Sequence, residues 1–236
     1  MPKRNSKQSA VKRNGKLVHR APFDFKSDIT WRIFRIMSEF IDGFEFLADV
    51  RRPVTFFGSA RIPLGTRYYR EAQQLATKLG RAGFTIITGG GPGIMEAGNK
   101  GAVRAKAESV GLNIQLPYEQ RINKFVKKGI GFYYFFSRKV MLSTSAQAYV
   151  FFPGGYGTLD EFFTIITLIQ TGKMERRPIL LYGQEFWEPL DAFIRQTLVK
   201  DRHIDWDDAK LYAIVDSVAA AAKIVTSSKE RRHWFM

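Results

Sequence analysis

The chain has 236 residues, 45% of them apolar, enough for one substantial domain with a core of its own. It has no cysteine, and its three histidines, His19, His203 and His233, stand far apart, which excludes disulfides, thiolate nucleophiles and cysteine-held zinc and leaves no metal-ligand spacing. The net charge is +15, no segment nears the ~18 consecutive apolar residues of a membrane span, and no apolar leader opens the chain, so a cytoplasmic protein needing neither metal nor cofactor is expected.

Residues 1–26 read as a basic, disordered tail, since the first twenty carry seven Lys or Arg and no acid. Such a tail is either simply solvated or a weak contact for nucleic acid or another polyanion. Over 27–52, Ile29, Ile33, Phe34, Met37, Phe40, Ile41, Phe44 and Leu47 recur at helical spacing. A helix with this much apolar surface ahead of the domain is expected to pack against it or to join subunits.

From 53 to 228 strand and helix alternate. Strands are predicted at VTFFG (54–58), FTIIT (84–88), SVGLNIQL (109–116), AYVFF (148–152), PILLY (178–182) and LYAIV (211–215). Helices are predicted near 68–82, 94–106, 138–147, 158–171, 187–200 and 217–227, with a short tail over 229–236. Short strands apolar on both faces, separated by helices, predict an α/β fold built on a doubly wound parallel sheet. Ligands of such sheets bind at the carboxyl ends of the strands.

Two of those ends are rich in glycine. FTIIT runs into GGGPGIMEAGNKGA and AYVFF into PGGYGTLDE. Glycine bares backbone N–H groups, and a following helix N-terminus favours an anion. One such loop is explained equally well as a tight turn; two on one sheet edge point to phosphate. Neither is a P-loop, because G-x-x-x-x-G-K-[ST] is absent, and neither completes G-x-G-x-x-G, because Ile94 and Asp160 stand where the last glycine belongs. A monophosphate therefore fits better than ATP or NAD. Thr158 is expected to cap its helix and offer its hydroxyl to the phosphate. A third strand end, GSAR (58–61), makes Gly58 and Ser59 candidate contacts, although a turn explains them too.

Arg138 and Lys139, in FYYFFSRKVML, are predicted at a helix start, where cations oppose the dipole, so either a bound anion offsets them or they are two solvated basic residues. Glu161 lies one turn beyond the second glycine loop with its carboxylate directed back toward it. It either serves the ligand or only favours the dipole, the role assigned to Asp160. Glu96 is similarly placed after the first loop, and Asn99 is read as meeting ligand or a partner subunit.

GGGPGIMEAGNKGA, SRK and PGGYGTLDE together resemble the LONELY GUY (LOG) phosphoribohydrolases over residues 54–225. That resemblance implies a Rossmann-like fold and hydrolysis of the N-glycosidic bond of nucleoside 5′-monophosphates, with cytokinin activation when the base is an N6-modified adenine. It implies that Arg138 and Glu161 are catalytic and that Gly154, Gly155, Gly157 and Thr158 hold the phosphate. Lys139 and the 89–93 loop, with Gly89, Gly90, Gly91 and Gly93, would line the site. It implies a homodimer or larger assembly. Glu96 departs from the plant-type pattern, which has a small residue there. The family's older lysine decarboxylase-like label has no support in the sequence, because no lysine motif suggests a pyridoxal Schiff base. A non-catalytic nucleotide sensor or carrier on the same scaffold is the competing reading.

Overall fold

The computed structural model describes residues 10–13, 16–19, 29–115 and 122–230. Contacts divide the chain into two units, 1–39 and 40–236. In the first, β1 (Ala10–Arg13) and β2 (Lys16–His19) pair antiparallel, Ala10 opposite His19. These eight residues of the expected tail pair as a hairpin, the rest of 1–26 lies outside the described residues, and α1 (Ile29–Ala48) begins in the same unit. Ile29, Ile33, Phe34 and Met37, on the part of α1 in this unit, are exposed.

The second unit holds a seven-stranded sheet of order β6-β5-β4-β3-β7-β8-β9. Its strands are β3 (Pro53–Phe57), β4 (Thr85–Thr88), β5 (Ser109–Ile114), β6 (Lys128–Phe132), β7 (Ala148–Phe151), β8 (Ile179–Tyr182) and β9 (Ala213–Val215). Every pairing among them is parallel. Side chains alternate across such a sheet. Val54, Phe56, Ile86, Ala148 and Val150 enter one apolar cluster and Phe57, Ile87, Tyr149 and Phe151 the other. Both faces are covered, as the two-sided apolar strands require.

One cluster takes in α2 (Arg67–Arg81), α3 (Ile94–Arg104) and α7 (Val218–Thr226). The other takes in α4 (Phe135–Thr144), α5 (Tyr156–Gln170), α6 (Gln184–Phe193) and the end of α1, where Leu47 is fully buried. The chain winds from β3 to one edge and from β7 to the other, so the winding reverses between these two neighbours. A doubly wound sheet leaves its ligand crevice at such a reversal.

Three further elements depart from expectation along the central part of the chain, besides the start of α5, which moves from 158 to Tyr156. α4 begins at Phe135, not 138, which puts Arg138 at the end of its first turn and weakens the predicted clash with the dipole. The helix expected over 187–200 starts at Gln184 and continues as a π-helical turn over Ile194–Val199. β6, a half-exposed edge strand of sequence KGIGF, has no counterpart among the predicted strands. Among the described residues no helix is long and apolar enough to cross a membrane.

Candidate active site

The loops leaving β3, β4 and β7 lock together by backbone. Ser59 N donates to Pro153 O (3.0 Å), and Ile94 N donates to Ser59 O (3.1 Å). The fit leaves no room for side chains at two glycines. A Cβ on Gly58 would lie 2.8 Å from that of Ile94, and one on Gly93, whose φ is +67°, would strike the Ser59 carbonyl. Gly58 and Ser59 are thus the joint between the two glycine loops as well as part of the wall of the cavity above them.

That cavity, about 750 Å³, opens at the β3/β7 reversal. A volume of this order suits a ligand of nucleotide size. Gly155, Gly157 and Thr158 contribute to its wall, as do Gly89, Arg138 and Glu161. Gly155 and Gly157 are exposed, neither has a positive φ, and a Cβ at either would meet nothing within 4 Å. Nothing in the protein itself requires glycine at these two positions. Gly154 is different: it stands behind the wall, and a Cβ there would strike Thr158 Oγ1. Thr158 does not cap the helix, because α5 starts at Tyr156 with Gly155 as its N-cap; the threonine lies buried in the first turn.

Of the first glycine loop only Gly89 reaches the wall. Gly90, Gly91 and Gly93 are buried beneath it. Gly90 N donates to Thr88 Oγ1 (2.9 Å), while Asn123 Nδ2 donates to Gly90 O (3.1 Å) and Gly91 O (3.0 Å). These polar groups are spent on holding the loop. Asn99 meets neither cavity nor surface: fully buried, it accepts from Thr88 Oγ1 (2.6 Å) and Asn123 Nδ2 (2.9 Å) and donates to Ser109 Oγ (2.9 Å) and Val110 O (3.1 Å). Glu96 stands off the wall and accepts from Tyr69 Oη (3.2 Å); burial, then that acid, push the phenol up to about 12.

Arg138 is anchored by Nε donating to Leu112 O (2.7 Å) and Nη2 to Gly89 O (3.5 Å). Burial lowers its pKa, and the charge of Glu161 opposes that. Glu161 is 8% exposed, and its Oε2 is buried with no hydrogen-bond partner. The two side chains attract each other but form no ion pair within 4 Å among the described residues. Burial raises the Glu161 carboxyl to about 7, against the pull of Arg138 and Lys139. Lys139 is off the wall, its Nζ paired with Asp160 Oδ2 at 2.5 Å. Asp160 does not take the dipole role expected of it: α5 starts at Tyr156 and has no acid in its first turn, and Asp160 instead contributes to the wall and ties down the lysine.

The raised carboxyl has a cost. The folded state holds this proton more tightly than the unfolded chain, so the penalty is absent below about pH 4.5, grows through about pH 7 and is complete above it. Its size is on the order of 3 kcal/mol. Glu161→Gln, a near-isostere of the protonated form, should melt with the parent at pH 4 and roughly 5–10 °C above it at pH 8. Thermal unfolding at the two pH values checks this; equal melting at pH 8 would count against a buried, strained carboxylate.

Arg61, Met95, Ile114, Phe135, Leu142 and Tyr156 also form the wall, outside the set expected from the motifs. The aromatic run before Arg138 was the available signal for Phe135. Arg61 closes the GSAR stretch, in which only the small residues suggested a ligand.

The family described as "Possible lysine decarboxylase" matches residues 95–225, more than half of the chain. The chain belongs to that family, the one of the LONELY GUY proteins. A relative from Rhodococcoides fascians, named cytokinin riboside 5′-monophosphate phosphoribohydrolase, is 25% identical over 155 residues, 63% of this chain and 77% of its own. An Arabidopsis thaliana relative of the same name is 29% identical over 151 residues, 61% of this chain and 68% of its own. Among solved structures, the molybdenum cofactor carrier protein of Chlamydomonas reinhardtii aligns with a TM-score of 0.56 at 19% identity, over 75% of this chain and 99% of that one. At this identity the likeness concerns the fold. The seven-stranded parallel sheet flanked by helices is the Rossmann-like fold expected for the family.

Proposed function

We propose that this LONELY GUY-family chain hydrolyses the N-glycosidic bond of a nucleoside 5′-monophosphate, AMP or an N6-modified AMP, to free base and ribose 5-phosphate. The observation that carries the reading is Glu161: a buried carboxyl with an unpartnered oxygen, set in a cavity wall between a bare glycine turn and Arg138. In this reading Gly155, Gly157 and Thr158 seat the phosphate at the start of α5, where the helix dipole favours it. The ribose then lies over Glu161.

Breaking the C–N bond leaves electron density on the departing base and an oxocarbenium-like cation on the ribose. The Glu161 carboxylate stabilises that cation and takes a proton from the attacking water as its oxygen bonds to C1′; a proton taken up by the departing base from solvent, and the one Glu161 later returns to solvent, balance the hydrolysis. Arg138, held by the Leu112 and Gly89 carbonyls, offsets the charge on the base. The apolar walls at Ile114, Phe135 and Leu142 give room for an N6 substituent, which is the cytokinin-activating variant of the reaction. The names of the relatives support this chemistry. We further propose that the protein acts in the cytoplasm as a homodimer or larger assembly, and that the basic N-terminus makes weak polyanion contacts.

The second reading, a binding module without catalysis, is favoured by the structural likeness to a cofactor carrier. A carrier needs the glycine turn but gains nothing from burying a strained carboxyl. The deciding experiment incubates pure protein with AMP, other nucleoside monophosphates, N6-isopentenyl AMP and adenosine, and measures free base. Base release that requires the 5′-phosphate is expected; tight binding without release would favour the carrier. Because only the carboxylate acts, kcat/KM for AMP should climb with pH through about 7 and level above it. A flat profile from pH 5 to 9 would remove Glu161 from the chemistry.

A further inference from the structure

Four charged residues contribute to the cavity wall: Arg61, Arg138, Asp160 and Glu161. Arg138 is anchored on two backbone carbonyls and faces Glu161, and Asp160 holds Lys139. Arg61 is uncommitted. It stands in the turn after β3, where its backbone N donates to Ser59 Oγ (3.1 Å) and fixes the turn. Its guanidinium makes no hydrogen bond or ion pair among the described residues, and the residue is exposed.

A lone surface arginine is ordinary; its position here is not. The turn that carries it is bonded to the second glycine loop through Ser59 N and Pro153 O. Arg61 therefore shares one wall with Gly155 and Gly157, the two glycines that no packing or backbone constraint explains. A phosphate monoester seated there carries close to two negative charges, and bare amides with a helix dipole neutralise only part of them. Lys139, the cation expected to help, is tied to Asp160 and stands off the wall.

We propose that Arg61 is the phosphate clamp of this cavity, closing over the 5′-phosphate from the β3 side while the glycine turn holds it from the α5 side. The proposal rests on the nucleotide reading above and adds its charge selectivity. A planar guanidinium grips two phosphate oxygens at once, which a lysine cannot do. Arg61 touches the phosphate and not the bond being broken, so it acts alike on substrate and transition state. Its loss raises KM and spares kcat.

The test titrates ribose 5-phosphate into the parent protein, Arg61→Ala and Arg61→Lys by calorimetry, with AMP kinetics and melting temperatures alongside. Arg61→Ala should bind ribose 5-phosphate about ten- to hundredfold more weakly and raise the AMP KM by a similar factor. Its kcat and melting temperature should stay near the parent's, and Arg61→Lys should recover part of the loss. Unchanged affinity in Arg61→Ala, a fall in kcat as large as the rise in KM, or a parent protein that does not bind ribose 5-phosphate would each overturn the clamp. If the parent binds ribose 5-phosphate but releases no base, the hydrolase reading fails and the titration still decides Arg61.

Discussion

Glu161→Gln should reduce base release from AMP by at least 10²–10³, the usual worth of one well-placed electrostatic group. A larger loss would mean that the carboxylate both stabilises the ribose cation and activates water. Glutamine keeps the shape of the side chain and can occupy the same place in the second turn of α5. Affinity for ribose 5-phosphate should therefore survive, while the melting temperature rises above pH 7 for the reason given earlier. Lost turnover, retained binding and a raised melting point together separate a catalytic acid from a structural one. A structural acid would lose stability on substitution, and a bystander would leave turnover near the parent rate. Asp160→Asn, one residue earlier, breaks the pair with Lys139 and should produce a much smaller loss. Base release by both variants, measured side by side, decides the matter.

Asn99→Leu should be the most destabilising single change near the site. Leucine matches asparagine in bulk, but it abandons two donors, from Thr88 and Asn123, and two acceptors, on Ser109 and Val110. Each buried group left without a partner costs ~1–3 kcal/mol, though Thr88, Asn123 and Ser109 retain other bonds. A total of about 4 kcal/mol lowers the melting temperature of a domain this size by roughly 8–16 °C. Because Asn123 also holds Gly90 and Gly91, the variant should lose activity at temperatures where it is still folded. Thermal unfolding and activity measured on the same sample check both halves. A melting point within 2 °C of the parent would mean that the network contributes little.

The sequence made the fold legible where strands were uniformly apolar and covered on both faces, as at VTFF, TIIT and AYVF. β6 escaped because it pairs on one side only and its KGIGF residues need no apolar pattern; its existence follows from five register partners on β5. The site was legible as motifs but not as a division of labour. Glycines look alike in a sequence, yet Gly58 and Gly93 serve loop-to-loop contact while Gly155 and Gly157 border open space. Asp160 and Lys139 lie on different helices, and only the packing of α4 beside α5 brings them together. Asn99 reads as a polar residue in a packing helix; that four polar groups converge on it from three other segments is a tertiary fact.

The β3–β7 pairing has a consequence for how the protein acquires activity. Val54 aligns with Ala148, so the two strands that frame the cavity come from distant parts of the chain, and four of the sheet's strands lie on one side of this seam. Contacts of such long sequence separation are paid for in loop-closure entropy before they return any stability, and they tend to form late. No fragment ending before the second glycine loop contains the proposed phosphate seat, and none beginning after β3 contains the turn bonded to it. During refolding, ribose 5-phosphate binding should appear together with the last phase of sheet formation, with no earlier burst of ligand affinity. If the proposed seat is the ligand site, a nascent chain should stay inert until β7 has docked, and nucleotide in the medium should slow unfolding more than it speeds folding.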